Sequence, residues 1–269
     1  AVQTVNVTVK PQPNLSVISN QTLCAGSLSS AVNFVSDVVG STFSWTNSNT
    51  GIGIGASGIS NIPATTLTNA GASAISGNFS AQATANGCIS SPQTFLITVN
   101  PIPTTPIPTA LNACLGSLTN FTTSFVSGGT YNWNFGDGNT STLQNPTHTY
   151  AAAGVYTAGV QATAATCVSA VGTVNATVHP TSVGGTITGG TSPACNGSNS
   201  GTFTLSGNTG TVNGWEFSIN GGGSWTPIAN TTNTQAYSNL TITTIYRAVV
   251  QSGVCTSANS SGQTIGFAT

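Results

Sequence analysis

Gln3-Thr-Val-Asn-Val-Thr-Val-Lys-Pro11 alternates apolar with polar residues and ends at a proline, as do Thr94-Phe-Leu-Ile-Thr-Val-Asn-Pro101 and Thr173-Val-Asn-Ala-Thr-Val-His-Pro180. A period of two puts Val5, Val7 and Val9 on one face with Asn6 and Thr8 on the other, and separates Val174, Ala176 and Val178 from Asn175 and Thr177. Such a segment is an antiparallel strand with one buried face. Thr- and Val-rich stretches of this kind, broken by Gly and Asn turns about every 8–12 residues, fill the chain, and no window has helical spacing. The expected fold class is all-β.

Cys88 and Cys167 each stand 13 residues before the proline that closes their strand. Each is the second of a cysteine pair whose first members open one signature: Cys24-Ala-Gly-Ser, Cys114-Leu-Gly-Ser and Cys195-Asn-Gly-Ser. A tryptophan follows after 21, 19 and 20 residues (Trp45, Trp133, Trp215), and Cys88, Cys167 and Cys255 arrive 43, 34 and 40 residues later. Three landmarks in fixed order, three times, mark three homologous domains. Gln263-Thr-Ile-Gly-Phe267 reads as the closing strand of the third. The predicted boundaries are 12–101, 102–180 and 181–269, with 1–11 either the closing strand of a preceding domain or a strand donated to a neighbouring molecule. The linkers Pro11-Gln-Pro13 and Pro101-Ile-Pro-Thr-Thr-Pro-Ile-Pro108 are Pro-rich and semi-rigid. Three small antiparallel β-sandwiches in tandem is the expected architecture.

One cysteine pair per repeat predicts a disulfide inside each domain: Cys24–Cys88, Cys114–Cys167 and Cys195–Cys255. The repeat selects these from the fifteen pairings that six cysteines allow. Such bridges persist outside the cytosol, so an extracellular or cell-surface location is expected. No closely spaced cysteine pair supports zinc. Trp45, Trp133 and Trp215 each lie in an aromatic strand (Phe43-Ser-Trp45, Tyr131-Asn-Trp-Asn-Phe135, Trp215-Glu-Phe217) and are expected in the cores. Trp225, in Gly221-Gly-Gly-Ser-Trp225, has no counterpart and is the candidate exposed aromatic.

Only five of the 269 residues are charged: Lys10, Asp37, Asp137, Glu216 and Arg247. Two basic side chains cannot neutralise a phosphate backbone, which excludes a nucleic-acid partner. No apolar run reaches the roughly 18 residues of a membrane-spanning helix, so membrane insertion is not expected. General acid–base enzymes keep several carboxylates and histidines together, whereas here three acids and two histidines are scattered over the whole length, and no nucleophile elbow, phosphate loop or metal-spaced histidine pair occurs. No catalytic residue, metal or cofactor is expected. Sheet edges without lysine and a near-zero net charge favour association between copies of the chain. The absence of methionine fits a processed or excised piece of a longer protein.

Tyr131-Asn-Trp-Asn-Phe-Gly-Asp-Gly138, Asn145-Pro-Thr-His-Thr-Tyr150 and Gly154-Val-Tyr156 closely resemble the PKD domain, an immunoglobulin-like sandwich with the pattern W-D-F-G-D-G, N-P-x-H-x-Y, G-x-Y. The resemblance spans most of residues 114–178 and carries Trp133, Phe135, Gly136, Asp137, Gly138, His148, Tyr150 and Tyr156. Asn134 stands where the pattern has Asp. Phe43-Ser-Trp-Thr-Asn-Ser-Asn49 with Gly58-Ile-Ser-Asn-Ile-Pro63 resembles PKD-like repeats of very large secreted surface proteins. Trp215-Glu-Phe-Ser-Ile-Asn-Gly-Gly222, Thr226-Pro-Ile228 and Tyr246-Arg-Ala-Val-Val250 resemble the immunoglobulin-like repeats beside them. The resemblance implies PKD-type sandwiches of a repeat adhesin or gliding-associated surface protein of Bacteroidota, exported by type IX secretion. Asp137 is expected to bond turn amides, His148 and His179 to be structural, and Glu216 to pair with Arg247 across strands.

Two functions follow. The first is a structural or adhesive segment of an extracellular fibre, stalk or filament. Its partners are neighbouring repeats or subunits, with surface glycans or other cells beyond them, and residues 3–9 (Val5, Val7, Val9) serve as a strand to exchange. The second is an accessory polymer- or glycan-binding module of a secreted degradative enzyme, which requires an exposed aromatic such as Trp225.

Overall fold

A computed structural model describes residues 2–267 and shows an all-β chain of tandem immunoglobulin-like sandwiches. Two compact units can be distinguished. One takes in Ala1–Pro106, Phe125–Tyr131 and Gln161–Val171, the other Ile107–Ser124, Asn132–Val160 and Gly172–Thr269.

The first unit is built on β1 (Gln21–Cys24), β2 (Thr42–Asn47), β3 (Ser57–Gly58), β4 (Ile75–Ala85), β5 (Cys88–Ile89) and β6 (Gln93–Asn100). Their sheet runs β1-β6-β4-β2-β3, with β5 folded back on β4. Isolated bridges, Leu15 to Ser36, Leu28 to Thr66 and Val32 to Ile62, form the facing layer. The alternation of β6 is realised as written: Phe95, Ile97 and Val99 are buried against Phe79 and Leu67. The Trp45 indole donates to the Ser60 carbonyl at 2.8 Å. Its ring lies so close over Gly58 that an added Cβ would stand 2.5 Å from it, so only glycine fits.

Residues 108–179 hold β7 (Pro108–Ala110), β8 (Ala113–Cys114), β9 (Thr119–Thr123), β10 (Thr130–Asn134), β11 (Thr140–Ser141), β12 (Thr147–His148), β13 (Gly154–Ala164), β14 (Cys167–Val168) and β15 (Gly172–His179). One sheet runs β11-β10-β13-β15-β8 with β14 on β13, the other β12-β9-β7. Residues 186–265 hold β16 (Thr186–Gly189), β17 (Ser200–Ser206), β18 (Thr211–Ser218), β19 (Thr226–Ile228), β20 (Thr234–Ser238), β21 (Thr244–Gln251), β22 (Ala258–Asn259) and β23 (Gln263–Ile265). Their sheets are β16-β17-β20 and β19-β18-β21-β22, with β23 on β21.

Two devices recur. The strand ending in the first cysteine runs parallel to the closing strand: Cys24 pairs with Asn100 and Cys114 with His179, while Ala194, beside Cys195, bridges to Phe267. A buried serine after the second cysteine also substitutes for a ladder bond. Ser90, Ser169 and Ser260 each accept from a strand amide (Ala83, Ala162, Ala248) and donate to the next residue's carbonyl.

The disulfides differ from the expected pairing. Cys24 bonds Cys167 and Cys114 bonds Cys255, while Cys88 and Cys195 are free thiols. Cys24–Cys88, Cys114–Cys167 and Cys195–Cys255 do not form, and strand geometry gives the reason. In the first sandwich Cys24 lies beside Asn100, level with the start of β4, whereas Cys88 lies opposite Ala85 at its end. The 11 residues of β4 separate them. At about 3.3 Å per residue that is roughly 33 Å, against Cα separations of about 4.4–6.8 Å in a disulfide.

Candidate functional site

The chemistry of this chain is concentrated where one sandwich meets the next. In the first unit, Cys24 at the end of β1 reaches Cys167 at the start of β14, with Cα atoms 5.6 Å apart. Beside it Asn100 Nδ2 donates to the Ala165 carbonyl at 3.1 Å. Ala165 and Thr166, the two residues turning β13 into β14, have φ of 48° and 70°, left-handed values that a β-branched residue rarely adopts. In the second unit, Cys114 at the end of β8 reaches Cys255 with Cα atoms 5.0 Å apart. There the residue preceding the linker proline, His179, lies flat against Gly253. A Cβ at Gly253 would stand 2.3 Å from the ring, so the contact requires glycine. The Ser252 amide donates to Ser182 Oγ at 2.9 Å, tying the same turn to the linker.

Residues 2–11 form no strand, and Val5, Val7 and Val9 are 80, 81 and 86 % exposed. Lys10 Nζ nevertheless donates to the Asn86 carbonyl at 3.3 Å. Lys10 precedes Pro11 as Asn100 precedes Pro101, and Asn86 opens the β4–β5 turn as Ala165 opens the β13–β14 turn. The contact that Asn100 makes is thus made again by Lys10.

Of the other predicted residues the tryptophans, Phe135 and Tyr150 lie in the cores, whereas Gly136, Asp137 and Gly138 form an exposed turn. Trp45, Trp133 and Trp215 are buried, and the Trp133 and Trp215 indoles donate to the carbonyls of Gln144 (3.3 Å) and Thr232 (2.9 Å). Phe135 and His148 stack with centroids 4.3 Å apart, and Tyr150 stacks on Tyr156 at 3.9 Å. Gly136 and Gly138 turn the chain at positive φ, which presents Asp137 to the Asn139 amide (3.0 Å) and to His148 Nε2 (2.7 Å). Burial alone would raise the Asp137 carboxyl, but hydrogen bonds from His148 and Asn139 outweigh it and hold it below its ordinary value. Tyr150 donates to the Phe135 carbonyl at 2.9 Å; burial, then Asp137 and Tyr156, push its hydroxyl up to about 12.

Glu216 and Arg247 pair across β18 and β21 at 2.7 Å. The Arg247 guanidinium also lies 3.8 Å above the Trp225 ring, so one face of that half-buried aromatic is covered. Among the described residues no group of three or more His, Cys, Asp and Glu could hold a metal, and no helix is long and apolar enough to cross a membrane.

Sequence reasoning missed the serine trio and the role of the residue before each linker proline. Ser90 and Ser169 stand two residues after their cysteines, a signal visible in the sequence, whereas Ser260 stands five after and breaks the spacing.

A family model described as "PKD domain" matches residues 100–178, and one described as "Domain of unknown function (DUF8696)" matches residues 183–269. No curated protein sequence matches the chain. Among solved structures, three immunoglobulin domains of titin, I67–I69 in an E-to-A variant, superpose with a TM-score of 0.52 at 10% identity, covering 97% of this chain and all of that one. Mouse nectin-like molecule 4, full ectodomain Ig1–Ig3, gives 0.43 at 10% identity, covering 93% and 97% of the two chains. The chicken CNTN1 domains FN1–FN3 give 0.31 at 12%, covering 95% and 98%. The titin likeness establishes a tandem immunoglobulin-like fold. Neither family description names a catalytic activity.

Proposed function

We propose that this chain is a structural segment of an extracellular fibre or stalk, in which sandwiches locked to one another hold an adhesive element away from the cell. The observation that carries this is the course of the two disulfides. Each joins a cysteine beside one closing strand to the hairpin of the following sandwich; the first spans the stiff, Pro-rich linker 101–108, the second the shorter linker that opens at Pro180. A bridge inside a sandwich would stabilise a core; a bridge between sandwiches restrains their hinge. The resemblance to PKD-like repeats supports a Bacteroidota surface protein carried out by type IX secretion, and the disulfides favour an oxidising location.

Electron microscopy of the purified chain, with and without reductant, tests the reading. The end-to-end distance is expected to be narrowly distributed in the oxidised chain and to broaden on reduction. Equal distributions overturn it. Depletion of the protein by insoluble glycans, abolished by Trp225→Ala, would instead establish the polymer-binding accessory module.

A further inference from the structure

We infer that Asn86 is a site of spontaneous, enzyme-free modification: the Asn86-Gly87 turn deamidates to isoaspartate, whose free carboxylate then pairs with the Lys10 ammonium. This goes beyond the fibre reading and does not depend on it.

Four Asn-Gly pairs occur in the chain, at Asn86, Asn196, Asn213 and Asn220. Deamidation at such a pair needs the glycine amide nitrogen free to attack the asparagine side chain, and glycine has no Cβ to obstruct the approach. Hydrogen bonding restrains three of the four. The Gly197 amide donates to the Leu240 carbonyl at 2.9 Å. Asn213-Gly214 lies inside β18, laddered to β21, and Asn213 Nδ2 donates to Gln251 Oε1 at 2.6 Å. Asn220 Oδ1 accepts from Ser218 Oγ and from the Ser224 amide, while its Nδ2 donates to Ser224 Oγ. Asn86 differs. It is exposed, its side chain takes part in no hydrogen bond among the described residues, and the Gly87 amide donates to none of them.

The Gly87 nitrogen gives its proton to solvent and attacks Asn86 Cγ; Nδ2 leaves as ammonia, and a cyclic imide closes. Water then opens one of the two imide carbonyls, and Lys10 selects which. Its Nζ donates to the Asn86 main-chain carbonyl at 3.3 Å, and a positive charge on that oxygen makes its carbon the more electrophilic of the two. Water adds there, the bond from that carbon to the Gly87 nitrogen breaks, and the nitrogen takes back a proton. The backbone now runs through Cγ, and the oxygen that Lys10 already holds belongs to a free carboxylate. Overall one amide and one water become one carboxylate and one ammonium ion.

A neutral contact thereby becomes a charge-assisted bond, of a kind that runs to about 2.7–2.9 Å. The segment is placed for it, since Gln12 Nε2 donates to the Ile89 carbonyl at 2.8 Å and residues 10–12 already lie along the hairpin. The turn has room for the extra backbone methylene: nothing lies within 4 Å of where a Cβ on Gly87 would stand. At the matching turn of the second sandwich, Ala165-Thr166 has no side-chain amide to lose, and the contact from Asn100 stays neutral.

The test is storage of the full chain at mildly alkaline pH and physiological temperature, followed by isoelectric focusing and by peptide mapping that tells isoaspartate from aspartate. A species with one more negative charge is expected to accumulate, modified at Asn86 several-fold faster than at Asn196, Asn213 or Asn220. Asn86→Gln loses that species, its thermal midpoint showing that it is folded. Lys10→Gln keeps the species but shifts the product from isoaspartate toward aspartate. A water-soluble carbodiimide is expected to join Lys10 to the new carboxylate in the stored chain and to leave the fresh chain unlinked. Earlier modification at any of the other three pairs, a folded chain that keeps a single charge state, or an isoaspartate share unchanged by Lys10→Gln overturns the inference. So does a stored chain that carbodiimide leaves unlinked.

Discussion

Asp137, Tyr150 and Tyr246 show how few side chains link this fold to protons. The Asp137 carboxyl sits below its ordinary value, so its stabilisation is present above the usual carboxylate range and lost as pH falls through the depressed value. Tyr150 works in the opposite sense. Its pKa rises from 10.0 to about 12, so its contribution is complete below pH 10 and lost as pH climbs through about 12. Tyr246 is raised too, by burial and then by Tyr237. The thermal midpoint should therefore hold level from about pH 5 to pH 9 and fall steeply on the alkaline side, where the unfolded chain ionises two tyrosines that the fold keeps protonated. Tyr150→Phe should cost about 1 kcal/mol at neutral pH, through the lost bond to Phe135, and blunt the alkaline fall. A midpoint already falling between pH 5 and 9 would contradict this assignment.

At the scale of elements, the β13–β14 hairpin carries strain that its counterpart avoids. Asn86-Gly87 turns β4 into β5 with the residue types that positive φ favours; Ala165-Thr166 does the same job with two that resist it. Replacing Ala165 and Thr166 together by Asn and Gly should stabilise the oxidised chain by about 1 kcal/mol or more, read as a higher denaturation midpoint at unchanged m-value. No gain would mean that the turn conformation is different or is imposed at no cost by the Cys24–Cys167 bond.

The strands themselves were legible, because the period of two in Phe95-Leu-Ile-Thr-Val99 reports burial directly and a tryptophan at constant spacing reports a core. The cysteine partners were not. A cysteine that bonds inside its own repeat and one that bonds the following repeat leave identical spacings, since translation by one repeat maps either pattern onto itself. Only the length of β4 between Cys88 and the closing-strand end, a three-dimensional fact, separates the two. The joint contacts of Asn100 and His179 were hidden for a related reason, their partners being turn residues of the following sandwich.

For the whole molecule the two disulfides change the covalent topology. Cys24 joined to Cys167, and Cys114 joined to Cys255, make two nodes connected by three segments in parallel: 24–114, 114–167 and 167–255. Bridges inside each sandwich would instead leave single-stranded linkers, each a point at which one cut divides the protein. A site for a specific protease placed between Thr104 and Thr105, in the first linker, distinguishes the two arrangements. After complete cleavage the chain should still run as one band in denaturing, non-reducing electrophoresis, because the other two segments hold it, and should part into two fragments only on reduction. Two bands without reductant would mean that no bridge crosses the linker. The same topology limits extension under load. The shortest covalent path from end to end passes 1–24, crosses to 167, returns to 114 and crosses to 255. Force can therefore draw out only about 90 of the 269 residues, or about 300 Å, until reductant frees about three times that length. A segment joined in this way yields little to a single cut or to sustained tension, as the proposed fibre role requires.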